Sequence, residues 1–90
     1  MELEEIVDVV LKSIETIQSL SGDPMAEMSR DVHPLDSLAG FDSMRCIEVM
    51  CEVERLLGKE LSKTDNFFLS EDSTKSLSIL QSSARMQKCL

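Results

Sequence analysis

Two serines in the stretch PLDSLAGFDSMR, residues 34–45, each come directly after an aspartate: Asp36-Ser37-Leu38 and, six residues on, Asp42-Ser43-Met44. A serine hydroxyl does chemistry in one of two ways. It attacks as a nucleophile when a base lies beside it, or it accepts a phosphoryl-linked group where negative charge is favoured. The sequence offers little for the first. Its one histidine, His33, stands beside Pro34, reads as a solvated loop residue and is assigned no role. Cys46, Cys51 and Cys89 do not help either: a spacing of five between the first two is no zinc motif, and an odd count is no disulfide framework. No catalytic constellation and no metal site are expected, and the thiols read as reduced.

The second way depends on the residues C-terminal to each serine. Ser37 has Gly40 within three residues, before any helical pattern begins, so it reads as flexible loop. Asp42 instead stands at the N-cap of the strongest helical pattern in the chain, with Ser43 in the first turn. A helix N-terminus presents unpaired backbone N–H groups and a partial positive charge, so a phosphate attached there is well placed. Of the two serines Ser43 is therefore the candidate, although an isolated Asp-Ser at a helix start more often reads as a plain cap, Asp42, with a compatible neighbour, Ser43.

Periodicity gives the helices around it. Leu3, Ile6, Val7, Val10, Ile14 and Ile17 recur at three- and four-residue spacing and predict a helix over about residues 3–20, ended by Gly22 and Pro24. Residues 21–41 form a long connection, which in a small domain is functional or packed on the core; Val32, Leu35 and Leu38 can tack it down. A second helix over about 42–57 buries Cys46, Val49, Met50, Val53, Leu56 and Leu57, and Gly58 stops it. The run Thr64-Asp65-Asn66-Phe67-Phe68-Leu69 predicts a short third helix over about 65–69. A last helix over about 73–86 turns Leu77, Leu80 and Ala84 inward, and its final residues are expected to fray.

Ninety residues make one domain, residues 1–90, and 42% apolar composition with only three aromatics, all Phe, calls for an aliphatic core. Good helix formers dominate and no strand pattern appears, so the expected class is all-α. The net charge of −8 argues against nucleic acid and anionic membranes as partners. Residues 1–36 carry nine acids and two bases, which suits partners with basic docking surfaces and equally a plain solvated surface. The opening MELEEIVDVV is no signal peptide, and no run reaches membrane-spanning length, so a cytoplasmic monomer is expected.

The stretch Gly40-Phe41-Asp42-Ser43-Met44, with the long connection before it and CIEVMCEVERLLGKEL after it, resembles the acyl carrier protein family over most of the chain. The resemblance implies a four-helix bundle of acyl-carrier type, with a long loop between the first two helices and a short third helix. It implies a covalent 4′-phosphopantetheine cofactor on Ser43, with Asp42 as the motif acid and Met44 in place of the usual leucine. Such a protein is a carrier rather than an enzyme. Its partners are a phosphopantetheinyl transferase and acyl-activating, condensing or transferring enzymes.

Met44, Ile47 and Cys51 lie outside the core stripe and are expected to be exposed. By the same resemblance they meet partner enzymes, alongside Glu48 and Glu54. Arg45 and Arg55 depart from the family pattern, which has acids at these places. Two positive charges on that face disfavour a basic partner and point to a specialised pathway, polyketide, lipid or related, rather than housekeeping fatty-acid synthesis. Two alternatives stand beside this reading: an aminoacyl or peptidyl carrier, and an acidic helical interaction module that never receives an arm. A small hydrolase is a distant third.

Overall fold

The computed structural model describes residues 2–22, 29–38, 40–61, 66–70 and 72–90. Their regular structure is all helical: α1 spans Leu3–Ser21, α2 Pro34–Ser37, α3 Ser43–Leu57 and α4 Ile79–Cys89. Among the described residues there is no strand, only an isolated antiparallel bridge between Leu69 and Ser76.

The first helix forms where its apolar spacing predicts. Ile6, Val7, Val10 and Ile14 are fully buried or nearly so, and Leu3 and Ile17 pack at the edge of the core. Glu4 and Glu5 occupy the first turn, where acids suit the helix dipole. Gly22 ends the helix in the left-handed conformation (φ 72°), its N–H donating to the carbonyls of Gln18 and Ser19. Pro24 lies outside the described residues.

α1 is the spine of the fold, packing against both α3 and α4. Cys46, Val49, Met50 and Val53 line the inner face of α3, whereas Leu56, expected in that stripe, is 39% exposed and Leu57 is half-buried. The stripe turns outward at its last turn as the chain reaches Gly58 (φ 68°). Phe41 and Phe68 meet edge to face with centroids 5.5 Å apart, closing the core beneath the start of α3.

The connection ahead of α3 holds one helical turn, so Ser37 is not in plain loop. Pro34 at the first position presets φ, and the N–H groups of Asp36 and Ser37 donate to the His33 carbonyl at 3.0 and 2.9 Å. Val32 and Leu35 pack on the core and Leu38 is buried, as their apolar character predicts. Arg30 forms a two-pronged pair with Glu4 of α1, at 2.8 and 2.6 Å. The carbonyls of Val32 and Arg30 accept the N–H groups of Ile79 and Leu80, each at 2.9 Å. The connection therefore satisfies two of the donors that the start of α4 leaves orphaned.

The region after Gly58 departs from expectation. No helix covers 66–69: Asn66 Oδ1 accepts the Phe68 N–H at 2.9 Å, and the Leu69 N–H returns to the Asn66 carbonyl at 3.1 Å. That side-chain turn replaces a helical turn and leads into the bridge with Ser76. Thr64 and Asp65 lie outside the described residues. The last helix starts at Ile79 rather than near residue 73, because Ser73 adopts φ 60° and Asp72 ties the loop to Ser70 and Thr74. Its buried residues are Ile79, Ser82, Ser83 and Met86; Leu77, Leu80 and Ala84 are only half-buried. It also runs three residues beyond the expected end, to Cys89, with Leu90 packed against the core instead of fraying.

Candidate functional site

Asp42 is the N-cap of α3, in extended conformation, and its Oδ1 accepts the Arg45 N–H at 2.9 Å. Its carbonyl accepts the Cys46 N–H, also at 2.9 Å, closing the first helical bond. This is the arrangement that the Asp-Ser pair predicts. Ser43 is the first residue of the helix and is exposed. Its hydroxyl thus stands at the positive end of a 15-residue helix. Ser37 is exposed as well, but it is the last residue of a single turn. At such an end unpaired carbonyls, not N–H groups, face outward, so the two serines have opposite electrostatic surroundings.

Phe41 and Leu38 anchor the approach to Ser43. Between them Gly40 takes a left-handed φ of 71°, and the Phe41 N–H donates to the Leu38 carbonyl at 3.3 Å. The chain turns there so that Phe41 enters the core while Asp42 and Ser43 stay at the surface.

The rest of the expected face divides in two. Met44 is 72% and Ile47 59% exposed, and Cys51 and Glu48 are exposed with them. Glu54 behaves differently. It is half-buried, and its Oε2 accepts the Leu61 N–H at 3.0 Å, fastening the turn beyond Gly58. The two arginines are also engaged within the fold. Arg45 donates to Oε1 of Gln18, a fully buried residue of α1. Arg55 pairs with Glu52 one turn back, through Nε at 3.0 Å and through the terminal nitrogen. The guanidinium holds the Glu52 carboxyl below its ordinary pKa.

Ser43 thus presents an exposed hydroxyl at a capped helix end, with exposed Met44, Ile47 and Cys51 further along the same helix. Spacing in the sequence does not reveal one polar cluster. Ser76 Oγ donates to Asp36 Oδ2 at 2.5 Å and lies 3.3 Å from His33 Nδ1. These residues are some forty positions apart in sequence, and no local signal joins them. They pin α2 to the segment before α4. With Ser76 donating to Asp36, His33 Nδ1 meets Ser76 Oγ as the donor, so in this arrangement Nδ1 does not take the proton of Ser76. Among the described residues no cluster of acids, histidines and cysteines is arranged to hold a metal ion, and no helix is long and apolar enough to cross a membrane. In comparisons with known proteins, no family model, curated protein or solved structure matches this chain.

Proposed function

We propose that this chain is a carrier protein of acyl-carrier type, modified at Ser43 by 4′-phosphopantetheine. The observation that carries the reading is the exposed Ser43 hydroxyl at the first position of α3, behind an Asp42 cap and beside exposed Met44 and Ile47. The residues present suit the group. The hydroxyl is accessible and the helix end favours a phosphodiester, with the Asp42 cap as the one acid directly beside it. The order of long helices around a long connection supports the same architecture.

Ser43 Oγ is the acceptor in a transfer catalysed by a phosphopantetheinyl transferase: it loses its proton and bonds the phosphorus next to the pantetheine half of coenzyme A, the pyrophosphate bond breaks, and adenosine 3′,5′-bisphosphate leaves. Asp42 holds the helix start rigid, so the attachment point has a fixed position relative to the strip of α3. When attached, the arm supplies a terminal thiol that carries acyl groups as thioesters. The chain itself performs no bond chemistry beyond presenting Ser43. Met44, Ile47 and Cys51 contact the enzymes that load and unload it, and tethering raises the local concentration of cargo at each of them. The basic residues Arg45 and Arg55 favour a dedicated carrier of a specialised pathway over the carrier of housekeeping fatty-acid synthesis.

The test is the intact mass after incubation with coenzyme A and a broad-specificity phosphopantetheinyl transferase. One phosphopantetheine is gained by the wild type and by Ser37→Ala, and none by Ser43→Ala. A folded wild type that gains nothing leaves an acidic helical interaction module as the better account.

A further inference from the structure

Arg45 stands at a place that its own helix disfavours. It is the third residue of α3, and a cation in a first turn is opposed by the positive end of the helix that bears it. α1 lacks what α3 has in the wrong place: its last turn, where a cation is favoured, contains no basic residue. The fold answers both. Arg45 Nη1 donates to Oε1 of Gln18, which lies in that last turn with no exposed surface. Gln18 is itself part of the α1 terminus, since its carbonyl accepts the Gly22 N–H.

Between the buried anchors Phe41 and Cys46 the chain runs along the surface. Asp42, Ser43 and Met44 are exposed there, and Arg45 is half-buried. Arg45 is held twice: its backbone N–H donates to Asp42 Oδ1 at 2.9 Å, and its side chain is fastened to α1. The first bond fixes the shape of the turn that bears Ser43. It does not fix where that turn lies on the bundle, because both of its ends belong to the same turn. The second bond does, because its partner is 27 positions away on another helix. A guanidinium bonded to a buried amide is a charge-assisted contact, one of the stronger hydrogen bonds a side chain makes.

We infer that Arg45 is a positioning residue for Ser43: through Gln18 it fixes the first turn of α3 to the end of α1, so that the hydroxyl is presented to the transferase at one place on the bundle. The inference rests on the carrier function proposed above. Arg45 acts through Gln18 and the turn and takes no part in the transfer itself.

The test is a double-mutant cycle on the transfer, with coenzyme A, a broad-specificity phosphopantetheinyl transferase and intact mass as the readout. Rates are compared at a temperature where circular dichroism shows every variant folded, so that a loss of stability alone does not move them. Arg45→Met and Gln18→Met each lower kcat/KM about tenfold, and the double variant loses about tenfold rather than about a hundredfold. Lys12→Met also removes one positive charge, from an exposed position of α1, and leaves kcat/KM unchanged. A second readout needs no transferase. Hydrogen exchange of the N–H groups at positions 45 and 46, measured relative to that of Val53 in the same helix, speeds about tenfold in both single variants.

A loss of transfer in Arg45→Met that Gln18→Met does not share overturns the inference, since the guanidinium then meets the transferase directly. Two losses that add in the double variant overturn it as well, and so do single variants that transfer as the wild type does. In each of these cases the carrier function stands. No transfer to the folded wild type overturns the inference together with the function on which it rests.

Discussion

Cys46 lies on the inner face of α3, four residues after the Asp42 cap and with no exposed surface. Burial pushes its thiol up to about 11, against a smaller opposing pull from a hydrogen bond with the Asn66 side chain. At pH 8 that leaves on the order of one thiolate per thousand thiols, and the thiolate is the reactive form. Cys51 and Cys89 are exposed. Brief iodoacetamide treatment of the folded protein at pH 8 is therefore expected to add two adducts, with a third only in denaturant. Three rapid adducts on the native protein contradict this placement of α3. At the same scale, the position of Ser43 at a helix start is legible in the sequence because its surroundings are local: an aspartate cap, a first turn and a stripe that begins three residues on. The fastening of Glu54 to Leu61, and of Asp36 to Ser76, joins residues that only the tertiary fold brings together. Sequence spacing carries no trace of either.

Helix ends show how far local rules reach. Gly22, Asp42 and Gly58 each mark a boundary within one residue of the expected one, since caps act through backbone groups a turn away. Apolar periodicity misplaces the start of α4 although a capping signal is present. Ser78 Oγ accepts the Gln81 N–H at 3.1 Å and Gln81 Oε1 accepts the Ser78 N–H at 2.9 Å, a reciprocal box that Ser-Ile-Leu-Gln spells out. Weight given to Leu77, Leu80 and Ala84 conceals it, because the face against α1 is built partly from small serines, Ser82 and Ser83. Ser78→Ala is predicted to cost about 1 kcal/mol in urea unfolding. The carbonyls of Val32 and Arg30 still serve the first two N–H groups, so the helix shortens little and its circular dichroism is nearly unchanged. A loss of more than about 3 kcal/mol would mean that the cap also holds the connection in place.

At the scale of the whole chain, the radius of gyration is 11.7 Å, close to the ~12 Å of a compact domain of this length. The molecule stays compact while carrying a net charge of −8, so self-repulsion opposes folding at neutral pH. Lowering the pH toward the isoelectric point near 4.5 relieves it. Below that a second effect takes over. Arg30 and Arg55 hold Glu4 and Glu52 below their ordinary values, and hydrogen bonds from Ser70 and Thr74 take Asp72 down to about 2. A carboxyl whose folded pKa is depressed contributes stability above its unfolded pKa and loses it as the pH falls through the folded one. For Asp72 the window runs from about 4 down to about 2, and Glu4 and Glu52 lose their share as the pH falls below the ordinary carboxylate range. The melting temperature is predicted to peak between about pH 4.5 and 5.5 and to fall steadily below 4, with a shallower fall in Asp72→Asn. A melting temperature that keeps rising below pH 3 contradicts this balance of charges.

The proposed function rests on one hydroxyl at one helix end, and intact mass reads that hydroxyl without intermediaries. With coenzyme A and a broad-specificity phosphopantetheinyl transferase, the wild type and Ser37→Ala are predicted to gain one phosphopantetheine, and Ser43→Ala none. An unmodified, folded wild type, or a gain that persists in Ser43→Ala, contradicts it.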